Sequence, residues 1–277
     1  LNQPDSDLDQ VDPFPEGKIL TVGQWSLEKH ELLKRYVHAS WAARQKWPNP
    51  CFIDLFCGPG RVRIRDTDIE TDGGALVAWR KALTKGGRFA KVVIGDLDAE
   101  ALSACAARLR HLGADVTALH GAAETTVEQV LQLIPQDGLH LAYLDPFNME
   151  HLPFSVIQKL AKFKKIDIVV HFSVMDLQRD FELDFERDAS RFEIFAPGWR
   201  NHVNVQAHSK QQARLEFVKY WLDLVKSVGF KCSEEKPLMT NSKNGPLYRM
   251  MFLSRHPLGD KLWTEINRGL NPNRSLF

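Results

Sequence analysis

Phe52-Ile53-Asp54-Leu55-Phe56-Cys57-Gly58-Pro59-Gly60 joins a short apolar run to a carboxylate and then to a two-glycine turn. An apolar run without alternation suits a strand buried on both faces of a parallel sheet. Asp54 then lies at the C-terminal edge of that strand, and Gly58 and Gly60 let the main chain turn tightly with no Cβ in the way. Open α/β sheets bind their ligands at this edge, so the turn reads as a cofactor cradle; a purely structural glycine turn is the alternative. A dinucleotide fingerprint requires a third glycine three residues on, and Arg63 stands there. A phosphate-cradling loop requires Gly-x-x-x-x-Gly-Lys-Ser/Thr, and no such run occurs.

Two more runs repeat the pattern of a buried strand ending in acid. Val92 to Asp96 is followed by Leu97-Asp98 and a helix start at Ala99. A carboxylate at Asp96 can accept hydrogen bonds from both hydroxyls of a ribose; Asp98 is the fallback for that role, or else a helix N-cap. Leu139 to Leu144 ends in Asp145-Pro146-Phe147-Asn148. An acceptor at Asp145 suits the orientation of an amine, proline stiffens the turn, and an aromatic ring can stack on a flat base. A structural turn or N-cap at Asp145 is the other reading.

The spacing Asp54-x-x-x-Gly58-x-Gly60 resembles the first motif of Rossmann-like S-adenosylmethionine-dependent methyltransferases. Asp145-Pro146-Phe147 is similar, with one proline fewer, to the Asp-Pro-Pro-Tyr/Phe element of enzymes that methylate exocyclic amines. This resemblance implies a doubly wound α/β fold with a mostly parallel, seven-stranded sheet, an antiparallel C-terminal hairpin and helical additions. It also implies S-adenosylmethionine as cofactor, held by Asp54, Phe56, Gly58, Gly60, Asp96, Leu97 and Ala122, with Asp145, Pro146, Phe147 and Asn148 at the methyl acceptor. The adenine edge is expected at His120 to Glu124, where alanine replaces the usual acid and either Glu124 or a backbone group takes its place.

Most of the chain is similar to the three-Cys-motif partner proteins, a bacterial and phage-associated group. The likeness is carried by Trp25-Ser26-Leu27-Glu28-Lys29-His30, the Asp54–Arg61 motif, Gly73-Gly74-Ala75-Leu76, Asp145-Pro146-Phe147 and Leu247 to Pro257. Cys57 and Asn148 depart from that group's usual small residue and glycine. The resemblance implies a partner protein bearing a three-cysteine motif, and it allows a catalytic or a non-catalytic, partner-dependent role.

Cys51, Cys57, Cys105 and Cys232 are scattered, with no Cys-x-x-Cys pair. A zinc or iron–sulfur centre is therefore not expected, and reduced thiols suit a cytoplasmic protein. Cys57 reads as a small loop-lining side chain or a reactive thiol. A cytosine-C5 nucleophile would need Pro-Cys after the fourth strand, where Asp145-Pro146-Phe147 stands. No apolar stretch is long enough to span a bilayer.

The 277 residues suit one sizeable α/β domain with additions. Residues 1–47 are expected to form an arm (with Pro4, Asp5, Asp7, Asp9, Asp12, Pro13 and Pro15 in its first 18 residues) and a covering helix, Leu27 to Trp47, N-capped by Ser26. In that helix Trp25 and Tyr36 either pack or line a pocket. Residues 48–277 are expected to form the methyltransferase-like domain, with a polar loop over 61–72 and helices over 153–164 and 210–228. Strands are expected over 116–119, 166–172, 230–237 and 248–254. The insertion at about 173–208, carrying Asp180, Glu182, Asp184, Glu186 and Asp188, is expected to be either a substrate lid or a solvated helix with a packing loop.

The net charge of +1 argues against nonspecific coating of nucleic acid. Up to residue 150 there are 16 Lys and Arg against 21 Asp and Glu; beyond it 20 stand against 14. Lys159, Lys162, Lys164, Lys165, Arg249, Arg255, Lys261 and Arg268, with Arg61, Arg63 and Arg65, make either a basic rim for a nucleic-acid substrate or an ordinary solvated surface.

Overall fold

The computed structural model describes residues 12–14, 18–84, 86–185, 190–204, 209–241 and 243–268. The expectations for Pro4, Asp5, Asp7, Asp9, Pro15, Glu186 and Asp188 lie outside the described residues. After β1 (Leu20–Val22) come two helices, α1 (Trp25–Ala39) and α2 (Trp41–Arg44). β2 (Cys51–Asp54) follows, then the strands β3 (Arg61–Ile64) and β4 (Glu70–Asp72), then α3 (Gly74–Leu83). Strands and helices alternate from there: β5 (Lys91–Asp96), α4 (Ala99–His111), β6 (Val116–His120), α5 (Ala123–Leu133), β7 (His140–Leu144), α6 (Phe154–Leu160) and β8 (Ile166–Ser173). Three helices come next, α7 (Val174–Phe185), α8 (Arg191–Phe195) and α9 (Lys210–Ser227). The chain closes with β9 (Lys231–Cys232), β10 (Leu238–Thr240), β11 (Pro246–Ser254) and α10 (Pro257–Asn267).

The central sheet runs β10-β11-β8-β7-β2-β5-β6, with β9 also on β11. β6, β5, β2, β7 and β8 are mutually parallel and β11 is antiparallel to β8. The sheet is thus mostly parallel with an antiparallel edge, as expected, but has eight strands rather than seven. The expected strand over 230–237 is two pieces: β9 pairs with Leu253 and Ser254, β10 with Tyr248 and Arg249. Pro237 interrupts it because it has no N–H to give to a ladder, although its carbonyl still accepts from the Met250 N–H at 3.1 Å.

The unbroken apolar runs have a direct cause, since both faces of the sheet are covered. Phe52, Val92, Ile94, Leu141 and Tyr143 enter one apolar layer with α1, α3, α4 and α10. Ile53, Val93, Ala142 and Leu144 enter the other with α5, α6 and α9, as the two-residue period of a strand requires. An aromatic cluster of Phe172, Phe181, Phe192, Phe195, Trp199, Phe217 and Trp221 ties the inserted segment to the second layer.

Three expectations fail locally. The helix expected over Leu27 to Trp47 is two, α1 and α2, separated at Ser40. Ser26 is buried in the first turn of α1 and caps nothing; Gln24 is at the N-cap. Residues 61–72 are not a loop but the β3–β4 hairpin, to which β1 adds a parallel third strand. The alternation Arg61-Val62-Arg63-Ile64 buries Val62 and Ile64 and leaves the arginines to pair with Glu70 and Asp72, a two-sided strand pattern masked by its charge.

The chain order along the sheet reverses between β2 and β7, whose residues Asp54 and Tyr143 are paired. Crevices at such switch points, outside the carboxyl ends of the strands, are where open α/β sheets hold ligands.

Candidate active site

The turn after β2 is shaped by glycine at two positions. Gly58 and Gly60 have φ of 55° and 79°, a region that favours glycine. A Cβ on Gly60 would lie 2.6 Å from Leu76 Cδ1, whereas a Cβ on Gly58 would meet nothing within 4 Å. Gly60 is demanded by packing and Gly58 faces open space. No helix follows the turn, which explains Arg63: the hairpin intervenes, and the close approach that a third glycine would give is made by Gly74, where a Cβ would lie 2.7 Å from Tyr143 Cε1.

Carboxylates hold the turn. Asp54, 1% exposed, accepts from the Phe56 N–H at 3.0 Å. Asp96 accepts from the Gly58 N–H at 2.8 Å through Oδ2 and from the Asp98 N–H at 2.9 Å through Oδ1. Asp98 is the N-cap of α4, accepting from the N–H groups of Glu100 and Ala101. From α4 the buried Arg108 reaches back to donate to the Pro59 carbonyl at 2.6 Å and to Asp12. Cys57 is a buried thiol pushed up by burial, the opposite of activation.

Asp54, Phe56, Gly58, Gly60, Asp96, Leu97 and Ala122 line one cavity of about 1180 Å³ together with Asp145, Pro146, Phe147 and Asn148. These eleven residues therefore border the same space, whereas Asp98, the fallback for the ribose, does not line it. Leu97 is 58% exposed and Phe147 92% exposed. Ala122 starts α5, its carbonyl accepting from Thr125 and Thr126. Glu124 accepts from the Ser155 hydroxyl at 2.8 Å. Asn148 caps the 3-10 turn Met149–His151 through its side-chain oxygen.

Asp145 is the centre of a partly buried polar cluster. The Lys29 ammonium lies 2.5 Å from Oδ2, Nδ1 of His171 lies 2.7 Å from Oδ1, and the Tyr143 hydroxyl donates to Oδ2 at 3.3 Å. The Tyr248 ring packs on His171 with centroids 3.8 Å apart. Burial alone would raise the Asp145 carboxyl, but the Lys29 charge and the His171 hydrogen bond outweigh it and hold the group well below the usual carboxylate range. Asp54 is the opposite case: burial, reinforced by Asp145 and Asp96, pushes it well above that range despite the Phe56 N–H. Burial and then the Lys29 charge drive His30 down to about 3.

Lys29, His30, Tyr143, His171 and Tyr248 were not identified as chemistry from the sequence, and all line the cavity, as does Trp25, for which packing and pocket lining were both open. His171 carried a signal, as the one basic residue in the apolar run 166–172. Lys29 had none beyond its place in a helix, because the contact spans 116 residues. Tyr36 packs, with its hydroxyl 2.7 Å from Asp167.

Of the residues that make either a basic rim or an ordinary solvated surface, several are engaged by the protein itself. Arg255 donates to the carbonyls of Phe163, Ala161 and Val228, Arg249 to that of Lys236, and Lys159 pairs with Glu128. From the insertion, Met175, Asp176, Arg179, Glu193, Ile194 and Pro197 line the cavity. Asp180 and Asp184 pair with Arg179 and Arg191 instead of facing solvent as a free acidic stretch. Among the described residues no group of His, Cys, Asp and Glu suits a metal ion, and no helix is long and apolar enough to cross a membrane.

No protein-family model matches the chain, and no curated protein matches it significantly. Among solved structures, the Legionella pneumophila str. Philadelphia 1 protein LPL1258 is 13% identical with a TM-score of 0.53, covering 91% of this chain and 94% of its own. That likeness is one of fold. Two structures with lower scores are an O-methyltransferase from Bacillus cereus in complex with SAH and M. jannaschii TYW2 in complex with AdoMet. The first is 11% identical with a TM-score of 0.48 and covers 88% and 87% of the two chains. The second is 11% identical with a TM-score of 0.43 and covers 84% and 76%.

Proposed function

We propose that the protein is an S-adenosylmethionine-dependent methyltransferase whose acceptor is an exocyclic amine of a nucleic-acid base. The observation that carries this reading is the single cavity joining the glycine turn to the Asp145–Asn148 edge, with the Phe147 ring 92% exposed at the latter. When bound, the cofactor supplies an electrophilic methyl group on a sulfonium. The residues present fit it. Gly58 leaves space where a side chain would stand, and Asp54 is a buried carboxylate that a cationic ligand would favour in its charged form. Each Asp96 oxygen already takes one N–H and keeps a lone pair for a ribose hydroxyl. Leu97 offers an apolar ledge to the adenine.

On the acceptor side, Phe147 would stack on the base and Asp145 would orient its amine, so that catalysis would be mainly positioning. A second reading has its own support: Lys29 and His171 occupy both Asp145 oxygens in the isolated chain. An amine reaches Asp145 only as the Lys29 ammonium yields, so a non-catalytic or partner-dependent component acting with a three-cysteine-motif protein is the alternative. Methyl-labelled cofactor incubated with total RNA, DNA and protein, with and without that partner, separates the two. Label in nucleic acid from the chain alone supports the first reading; label only with the partner present supports the second.

A further inference from the structure

We propose that His171 takes the proton released by the methyl acceptor, with Asp145 serving as the group that holds its ring. This rests on the methyltransferase reading above and adds a residue to it.

The geometry separates the two ring nitrogens. Nδ1 lies 2.7 Å from Asp145 Oδ1, and because that carboxyl is held ionised it is acceptor-only, so the proton of the neutral ring sits on Nδ1. Nε2 then carries the lone pair. It makes no hydrogen bond among the described residues, while the His171 side chain, 13% exposed and in contact with Asp145 and Tyr248, lines the same cavity as Phe147. The Tyr248 ring fixes the imidazole plane from the β11 side.

The polar groups packed around Asp145 and the neighbouring His30 suit the task less well. Asp145 is held below the carboxylate range by Lys29, and Lys29 in that ion pair is a cation with no lone pair. Burial raises the hydroxyls of Tyr143 and Tyr248. His30 is buried, with no hydrogen-bond partner for Nδ1 among the described residues. The charged groups facing His171 are Asp145 at the end of β7, Lys29 on α1 and Asp176 on α7, with the Tyr248 hydroxyl on β11. Burial lowers His171 against the pull of Asp145, so the ring is neutral in the resting site and ready to accept.

The balance is complete without another reactant. The acceptor nitrogen's lone pair forms the N–C bond, the C–S bond breaks and its electron pair stays on sulfur. The N–H pair returns to nitrogen, and the proton passes to Nε2. The resulting imidazolium rests against the Asp145 carboxylate, which stabilises the charge as it forms, before losing the proton to solvent. A neutral amine needs no base before attack, so His171 acts as the charge develops and not earlier.

The test has two arms, using the full chain. In the first, ¹⁵N-histidine NMR at pH 7 with S-adenosylhomocysteine present reads the His171 tautomer, its signals assigned by their loss in His171→Asn. The expected result is a neutral ring with the proton on Nδ1; a proton on Nε2, or an imidazolium, overturns the proposal whatever the acceptor is. In the second, transfer from methyl-labelled cofactor to total RNA and DNA is followed against pH. His171→Asn keeps a donor toward Asp145 and is expected to bind S-adenosylhomocysteine as wild type does. It should lose transfer by about 100-fold or more, and the wild-type fall in rate below the ordinary histidine range should vanish. Wild-type rate and pH profile in His171→Asn overturn the proposal and leave the methyltransferase reading standing. No transfer by wild type, with or without the partner, removes that reading and this proposal with it.

Discussion

Asp54 and Asp145, at the ends of adjacent strands, are pushed in opposite directions, and the protein's pH behaviour follows. Asp54 has a raised folded value, so stability is full below the unfolded carboxylate range and is lost as pH rises through the raised value. Asp54→Asn removes that slope: thermal unfolding between pH 4 and 8 should show equal or higher stability at neutral pH, together with weaker S-adenosylmethionine binding. Asp145 has a depressed value, so its contribution is present above the ordinary range and is lost only as pH falls through the lowered one. Lys29→Met strands this carboxylate, and breaking such a buried pair costs about 3–5 kcal/mol. Chemical denaturation should show that loss in the single variant and recovery of most of it in Lys29→Met with Asp145→Asn, since a neutral amide beside an apolar chain leaves no buried charge.

The glycine turn behaves as one element because the hairpin that follows it returns the chain to α3, and the Gly73 N–H donates to the Gly60 carbonyl at 2.7 Å. Its two positive-φ glycines are expected to respond differently. Gly60→Ala combines backbone strain with a Cβ driven into Leu76 and should destabilise by about 2–3 kcal/mol. Gly58→Ala meets no protein atom and should cost only the left-handed penalty, about 1 kcal/mol, yet weaken cofactor binding more than Gly60→Ala weakens it. Denaturation and calorimetry on the two variants check this; equal loss of affinity would mean that Gly58 does not face the ligand. The buried strands and their acid ends were legible because the parallel strands lie between two apolar layers and repeat one pattern. The hairpin was not, since its two buried residues are separated by arginines whose partners lie across the turn. Nor was the terminal helix α10, begun by His256 and Pro257.

At the scale of the molecule, the sheet order places the ends of β2, β5 and β7 around one cavity, so the site residues named from three separate motifs converge. The other half of the site comes from contacts with no local signature: Lys29 from α1, His171 from β8 and Tyr248 from β11, each meeting the Asp145 cluster across more than twenty residues of chain. Phe147 belongs to this scale because it is 92% exposed and meets the fold only through an edge contact with His151 among the described residues. Phe147→Ala should leave the unfolding temperature unchanged and reduce methyl transfer to nucleic acid, checked by thermal unfolding beside the labelling assay. The central claim, that this cavity is an S-adenosylmethionine site, is tested most directly by titration calorimetry of the full chain with S-adenosylmethionine, S-adenosylhomocysteine and nicotinamide cofactors. The account predicts one-to-one binding of the first two, weakened by Gly58→Ala, and no heat with the third; no binding of either S-adenosyl compound would contradict it.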